Sequence, residues 1–238
     1  MSFPKITRTI EQGKEKIKVK FLTENFELIL DREKCTGCGT CSRVCPKEAI
    51  SRGPVAATRR FPTTEDIIPE VYDPEKCVFC GTCVYMCPFG ALTLKKNGEE
   101  VPLKELQIVK EEVVPKLEIE YVDLENGKKA KSYVKGSIEV IDEECAKECS
   151  SCATVCPTGA IKIAERPEKA WEFSKNVEVV DEDACIVCGA CDNACPTGAI
   201  RLKVEEVNTS GEFSELFWPP LVERLKTLRW SEGEEATK

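Results

Sequence analysis

The sequence predicts an α+β fold assembled from four copies of one short unit, on three observations. A cysteine run recurs: Cys77, Cys80, Cys83 and Cys87 stand in the spacing Cys-x2-Cys-x2-Cys-x3-Cys, with Pro88 next. Cys35, Cys38, Cys41 and Cys45, then Pro46, repeat it unchanged, and so do Cys185, Cys188, Cys191 and Cys195, then Pro196. Cys145, Cys149, Cys152 and Cys156, then Pro157, repeat it with one extra residue in the first gap; the four runs use all 16 cysteines. An acidic lead-in also recurs, at Asp31–Lys34, Asp73–Lys76, Asp142–Glu144 and Asp181–Ala184. So does the exit. Ala91–Leu94, Ala160–Ile163 and Ala199–Leu202 alternate apolar and polar residues as half-buried strands do, and Ala49–Ser51 is a shorter version. Each unit reads as strand, cysteine loop, short helix carrying the fourth cysteine, strand.

The spacing is that of the bacterial-type ligand run for a 4Fe-4S cluster. Three thiolates two residues apart curl round one cube, and the fourth, a helical turn on, faces away. Gly37, Gly39, Gly81 and Gly189 lie in the loops, where glycine reaches positive φ without steric cost. Loop amides then point at cluster sulfurs and tune their potential. The proline after the fourth cysteine has no amide hydrogen and turns the chain. Two other uses of cysteine compete. Disulfides need an oxidising compartment, and Met1–Ile10 carries charge and a proline but no apolar core of a signal peptide. Zinc ribbons pair Cys-x2-Cys knuckles but add no third cysteine two residues on and no fourth followed by proline. With no histidine in the chain, His-ligated haem, Rieske centres and the commonest general base are excluded together. The cofactor expectation is four 4Fe-4S clusters, with all 16 cysteines as metal ligands. No catalytic residue is expected, because no glycine-rich nucleotide loop, flavin signature or base–nucleophile pair occurs.

The 238 residues allow one large or two small domains. The formal net charge of −8, made more negative by cluster and thiolates, argues against nucleic acid and anionic membrane surfaces and favours basic docking patches on redox partners. No apolar run is long enough for a transmembrane segment. A cytoplasmic location is the expectation.

In chain order, Met1–Gln12 reads as a mobile arm, and Lys16–Val19 and Phe21–Leu30 as short strands. The insertion Ser51–Pro69 carries Arg52, Arg59 and Arg60 and reads as a solvated loop. Lys95–Lys135 holds two turn signals, Asn97-Gly98 and Asn126-Gly127, and an alternating stretch at Leu117–Val122, which predict a linker with one or two hairpins. Phe79, Tyr85, Phe89, Trp171 and Phe173 read as packing that keeps water off the clusters. Glu212–Trp230 is an apolar tail, broken by Pro219-Pro220 and helical in period from Leu221. It serves either as a hook into another subunit or as cover for its own core, and Ser231–Lys238 should be disordered. The first cysteines of the runs stand at 35, 77, 145 and 185, so the gaps inside the first and last pairs are near equal and shorter than the gap between them. That favours pairing run one with two and three with four; a nested arrangement, two with three inside one with four, stays open.

Residues 31–94 and 138–204 resemble the dicluster bacterial-type ferredoxin family, twice over, and two such units in one chain make a polyferredoxin. The stretch from Cys83 to Leu92, with the long inserts, looks like the polyferredoxin F subunit of archaeal formylmethanofuran dehydrogenase. These resemblances imply tandem bacterial-type dicluster ferredoxin-like domains with β-hairpin insertions. The domains would be an N-terminal arm with strands (1–30), domain 1 (31–94), a linker (95–137), domain 2 (138–204) and an apolar tail (205–238). In this family the fourth cysteine ligates the neighbouring cluster. The implied quartets are Cys35, Cys38, Cys41 with Cys87; Cys77, Cys80, Cys83 with Cys45; Cys145, Cys149, Cys152 with Cys195; and Cys185, Cys188, Cys191 with Cys156. The implied function is an anaerobic, archaeal electron relay, not an enzyme in itself. It would carry low-potential electrons to or from larger oxidoreductase subunits of methanogenesis, or other ferredoxins and redox proteins. A freely diffusing ferredoxin and a subunit whose clusters are mainly structural are the alternatives.

Overall fold

The computed structural model describes residues 4–11, 13–51, 70–71, 73–146, 148–165 and 177–226. Alternation builds its first sheet. In strand β2 (Lys14–Lys20), Glu15, Ile17 and Val19 are buried while Lys14, Lys18 and Lys20 do not join the core. It pairs antiparallel with β1 (Lys5–Glu11) on one side and β3 (Asn25–Asp31) on the other. β3 continues to β6 (Leu92–Lys96) and β7 (Glu99–Glu100), giving the order β1-β2-β3-β6-β7. Leu28 and Leu30 of β3, with Leu92 and Leu94 of β6, form the apolar face that looks toward the cysteine loops.

The arm expected at Met1–Gln12 is a strand over Lys5–Glu11. Nearly all of β1 is exposed, so it is held by the backbone ladder and by the Arg8–Glu15 ion pair at 2.7 Å, neither of which leaves a hydrophobic pattern. β3 starts later than expected because Phe21–Glu24 forms a turn, closed by the Phe21 N–H donating to the Glu24 carbonyl at 2.8 Å.

The repeat is visible in the strand pairs. β3 enters the first cysteine loop and β6 leaves the second, and the two strands pair; between them β4 (Ile50–Ser51) pairs with β5 (Glu70–Val71). The same plan recurs in the second half. β11 (Val134–Val140) pairs with β14 (Ile200–Val207), and β12 (Ile161–Ile163) pairs with β13 (Val177–Val179). An outer pair and an inner pair thus enclose loops one and two, then loops three and four. Between the halves lie a 3-10 turn (Leu103–Glu105), α3 (Gln107–Lys110), β8 (Lys116–Leu117), β9 (Glu120–Asp123) and β10 (Lys129–Ser132). The alternating stretch at 117–122 is split, because Leu117 pairs with Thr209 of β15 (Thr209–Ser210) while Tyr121 and Val122 pair with β10.

One apolar cluster joins the first unit, the linker, part of the second unit and the last helix. It contains Leu28 and Leu94 of the first unit, Leu106 and Tyr133 of the linker, Ile186 and Ala190 of the second unit, and Trp218, Leu221 and Leu225 of the last helix, α6 (Trp218–Lys226). The tail up to Lys226 is therefore cover for its own chain. Arg224 seals it, donating to the Cys45 carbonyl at 2.7 Å and pairing with Glu48 at 3.0 Å. The hook reading fails for Trp218, Leu221 and Leu225 because the face they would offer a partner is already buried; Phe213 and Leu216 of the same tail are exposed. Leu228, Trp230 and Ser231–Lys238 lie outside the described residues, as do the arginines of the 52–69 loop, Trp171 and Phe173. Among the described residues no helix is long and apolar enough to cross a membrane.

Candidate iron–sulfur centres

The four cysteine loops share one backbone device. The residue before the second cysteine is left-handed in each: Gly37 (φ 71°), Phe79 (φ 52°), Glu148 (φ 61°) and Val187 (φ 48°). For a β-branched valine this is a strained conformation, kept because the loop has to curl there. Only loop one spends a glycine on it. In loops one, two and four a second left-handed residue follows the second cysteine, at Gly39, Gly81 and Gly189, and caps the next helix. Loop three has Ser150 there at φ −129°. Glu148 keeps the shared conformation in loop three; Lys147, in the longer first gap, lies outside the described residues.

The helices are α1 (Thr40–Arg43), α2 (Thr82–Met86), α4 (Ser151–Val155) and α5 (Ala190–Ala194). Each carries the third cysteine, not the fourth as expected. The cause is the Cys-Pro step. A residue before proline is pushed out of the α region, so Cys87 (ψ 115°), Cys156 (ψ 116°) and Cys195 (ψ 115°) are extended and end their helices. Cys45 lies just past the Val44 cap. The fourth cysteine thereby leaves its own loop.

Where it goes is seen in the cavities. Cys35, Cys38, Cys41 and Cys87 line one, closed by Leu30, Phe89 and Leu92. Cys45, Cys77, Cys80 and Cys83 line the next, closed by Leu28, Ile50 and Leu94. In the second unit Cys152 feels the charges of Cys195, Cys145 and Cys149, while Cys191 feels Cys188, Cys185 and Cys156 more than it feels Cys152. Each fourth cysteine stands with the first three of the neighbouring loop. Among the described residues no three Cys, Asp or Glu side chains converge on the point a single ion would occupy; the sulfurs ring a space instead.

Electrostatics fits the donor set to a cationic inorganic occupant. Burial pushes the Cys77 thiol up to about 11 and Cys152 up to about 12. Burial, then repulsion from neighbouring sulfurs, drives Cys41, Cys83 and Cys191 higher still. Left alone these thiols stay protonated at neutral pH. Strongly cationic metal draws them to thiolate with release of protons, which is the chemistry of iron–sulfur ligation.

Donors are ready for those sulfurs. The backbone N–H of Ala49, Ala91 and Ala199 donates to the Sγ of Cys45, Cys87 and Cys195 at 3.3, 3.3 and 3.1 Å. Hydroxyls stand beside the second cysteines: Thr40 is 3.3 Å from Cys38 Sγ, Thr82 is 3.2 Å from Cys80 Sγ, and Ser151 is 3.5 Å from Cys149 Sγ. A metal-bound thiolate can only accept, so the Thr40 and Thr82 hydroxyls would donate, whereas in loop three the Cys149 thiol donates to Ser151 Oγ. Loop four has Ala190 at this position. Sequence reasoning missed these hydroxyls, although their offset of two residues after the second cysteine repeats in three loops. It also missed Tyr133, which is fully buried and donates from Oη to the Met86 carbonyl at 2.5 Å. Lys131 was likewise missed: burial pushes its ammonium down, and the Cys87 thiolate pulls it back up. Of the aromatic packing, Tyr85 and Phe89 are buried, and Phe79 lies against Phe26 with ring centroids 5.8 Å apart.

Comparison with known proteins agrees with this chemistry. A family profile of the 4Fe-4S dicluster domain matches residues 34–91 and again 144–199, and a second profile of the same description matches 69–157. That second span joins loops two and three, whereas the sulfurs group one with two and three with four. Side-chain proximity decides which loops share a site, and adjacent runs of like spacing satisfy a profile in either phase. No curated protein matches by sequence. A chain of the formate dehydrogenase–heterodisulfide reductase–formylmethanofuran dehydrogenase complex from Methanospirillum hungatei matches in structure with a TM-score of 0.80 and 29% identity. The match covers 95% of this chain and 92% of that one. The chain carries four 4Fe-4S clusters in ferredoxin-like electron-transfer domains.

Proposed function

The chain belongs to the 4Fe-4S dicluster ferredoxins, and on that premise we propose that it is the wired polyferredoxin subunit of a larger oxidoreductase, of the formylmethanofuran dehydrogenase type. The observation that carries this reading is the extent of the structural match, which takes in linker and tail as well as the two dicluster units. A likeness confined to the cysteine loops would point to any ferredoxin.

We assign the ligands as the four quartets named from the sequence, on the strength of the shared cavities and sulfur proximities. The domain bounds we propose are 31–94 and 138–204 as ferredoxin units, 1–30 as N-terminal arm and strands, 95–137 as linker and 205–238 as apolar tail. The antiparallel pairs at 92–100 and 120–132 are then hairpin insertions on the ferredoxin plan. Larger oxidoreductase subunits in the cytoplasm are the expected partners.

When bound, the clusters supply one-electron exchange at low potential. The chain does the rest. The loops fix four sulfurs per site, the apolar faces of β3 and β6 exclude water, and the amides and hydroxyls set how much negative charge each site tolerates. The test is anaerobic isolation from the native cell. The chain should copurify with a molybdenum- or tungsten-containing oxidoreductase and hold about sixteen iron and sixteen acid-labile sulfide. A fully loaded chain that runs alone would defeat the wired-subunit reading, and about four zinc with little iron would defeat the ligand assignment.

A further inference from the structure

The two units meet through loops one and four, and the contact is reciprocal. Arg43 stands two positions after Cys41, and its Nη2 donates to the Cys188 carbonyl at 3.3 Å and to Thr40 Oγ1 at 3.1 Å. Asn193 stands two positions after Cys191, and its Nδ2 donates to the Cys38 carbonyl at 2.7 Å and reaches the Gly37 carbonyl at 3.4 Å. Each loop thus grips the carbonyl of the other's second cysteine from the same helical position. The matching positions of loops two and three hold Tyr85 and Thr154, which make other bonds: Tyr85 Oη donates to the Pro115 carbonyl at 3.1 Å, and Thr154 Oγ1 to the Ser150 carbonyl at 3.0 Å.

The clasp brings the second cysteines of loops one and four to the same seam. The bonds hold the Cys38 and Cys188 turns face to face, and Tyr133, buried beside them, donates to the Met86 carbonyl next to Cys87. Thr40, Arg43, Lys131, Tyr133, Ile186 and Cys188 line the seam.

We propose that electrons cross between the two units at Cys38 and Cys188, and that Arg43 and Asn193 are the positioning residues that set the width of this crossing. It rests on the quartets assigned above. The relay then has a fixed order: the loop-two site outermost, the loop-one site and the loop-four site facing each other across the clasp, and the loop-three site outermost at the far end. One electron leaves the site of Cys35, Cys38, Cys41 and Cys87 and arrives at that of Cys185, Cys188, Cys191 and Cys156. No bond breaks and no proton moves. Electron transfer falls steeply with distance, so small changes in the clasp act on the crossing before they act on either site.

The experiment uses the full-length loaded chain as wild type, Arg43→Lys, Arg43→Leu, Asn193→Ala and the Arg43→Leu/Asn193→Ala double variant. Iron is counted first, and each is then fully reduced with dithionite and measured by electron paramagnetic resonance. The expected wild-type spectrum is that of four interacting spins. The double variant should keep its iron and lose the interaction between units, leaving two independent pairs; Asn193→Ala should weaken it, and Arg43→Lys should retain it. Variants with full iron and the wild-type pattern overturn the proposal. Loss of iron in the mild Asn193→Ala variant also overturns it, because the clasp is then a fold contact. A wild type without the iron complement defeats the ligand assignment instead.

Discussion

The two ferredoxin units carry the same ligand spacing under very different cover. Loops one and two lie beneath a five-stranded sheet, and their core extends into the linker and the last helix. Loops three and four sit between two two-stranded sheets, over a small cluster of Ile138, Ala160, Ile161, Val177 and Ile200 with their cysteines. The second unit leaves Ile163 of its inner strand pair 62% exposed, and Val180, just past that pair, 46%. Its loop three has also lost the left-handed glycine that caps the helix in the other three. Ligand spacing therefore decides that a cluster is held, while cover and loop backbone decide how it is insulated and at what potential it works.

The comparison breaks most easily at the tail. Truncation after Ser210 removes the buried Trp218, Leu221 and Leu225 and the Arg224 bond to Cys45. On the scale of buried side-chain deletions this costs about 5 kcal/mol or more, close to the whole stability of a typical domain. The first unit should lose iron and melt earlier, as read by iron assay and calorimetry. A truncated chain with full iron and an unchanged melt would show the cover to be dispensable.

Next in size is a glycine pair. A Cβ on Gly81 (φ 85°) would come within 2.7 Å of the Leu106 side chain, whereas one on Gly90 (φ 57°) would meet nothing within 4 Å. Gly90→Ala should cost only the left-handed strain, about 1 kcal/mol. Gly81→Ala adds overpacking and should cost roughly 2–4 kcal/mol. Equal losses in denaturant titrations would mean that the linker does not press on loop two.

Proton linkage separates the loaded from the cluster-free chain. A thiol raised by folding, such as Cys77 to about 11 or Cys152 to about 12, favours the cluster-free fold at pH below the unfolded value. That contribution is lost as pH rises from about 9 through 11 and 12. Cluster-free protein should therefore weaken across this alkaline window in thermal melts, and loaded protein, whose thiolates are already formed, should not weaken by this route. Assembly runs the other way, because metal must displace protons, so reconstitution yield should fall as pH drops below neutral.

Smallest are the potential shifts. Thr82→Val removes the hydroxyl beside Cys80 and should move one redox transition negative by about 40 mV, taking about 1 kcal/mol for the bond and 59 mV per 1.4 kcal/mol for one electron. Deleting Lys147 to restore the common spacing should likewise move one transition, that of loop three, and leave the others in place. Titration followed by electron paramagnetic resonance reads both, and a concerted shift of all four would refute the idea that loops tune locally.

Much of this molecule is legible in its sequence because cysteine spacing is chemistry written directly into the chain. The runs carry the cofactor, and the alternating exits carry the outer strands. Other features have no such signature. β1 is exposed nearly throughout, and its Ile6 and Ile10 enter no core that would mark it. Phe79, Glu148 and Val187 take a conformation their side chains disfavour, and only the tertiary loop shows why. The helix limits were readable but misread, since proline restrains the residue before it as well as itself. Tail apolarity announces burial without naming the surface. Arg43 and Asn193 are ordinary polar residues until the fold brings them within reach of loops some 150 positions away.

α6 follows all sixteen cysteines in chain order, and it closes over the first unit through Arg224 and the carbonyl of Cys45. A chain made from its N-terminus presents every ligand loop to the cell before this helix exists to dock. The order of synthesis thus leaves an interval in which these loops stand without their lid. The lid is made after the vessel it covers.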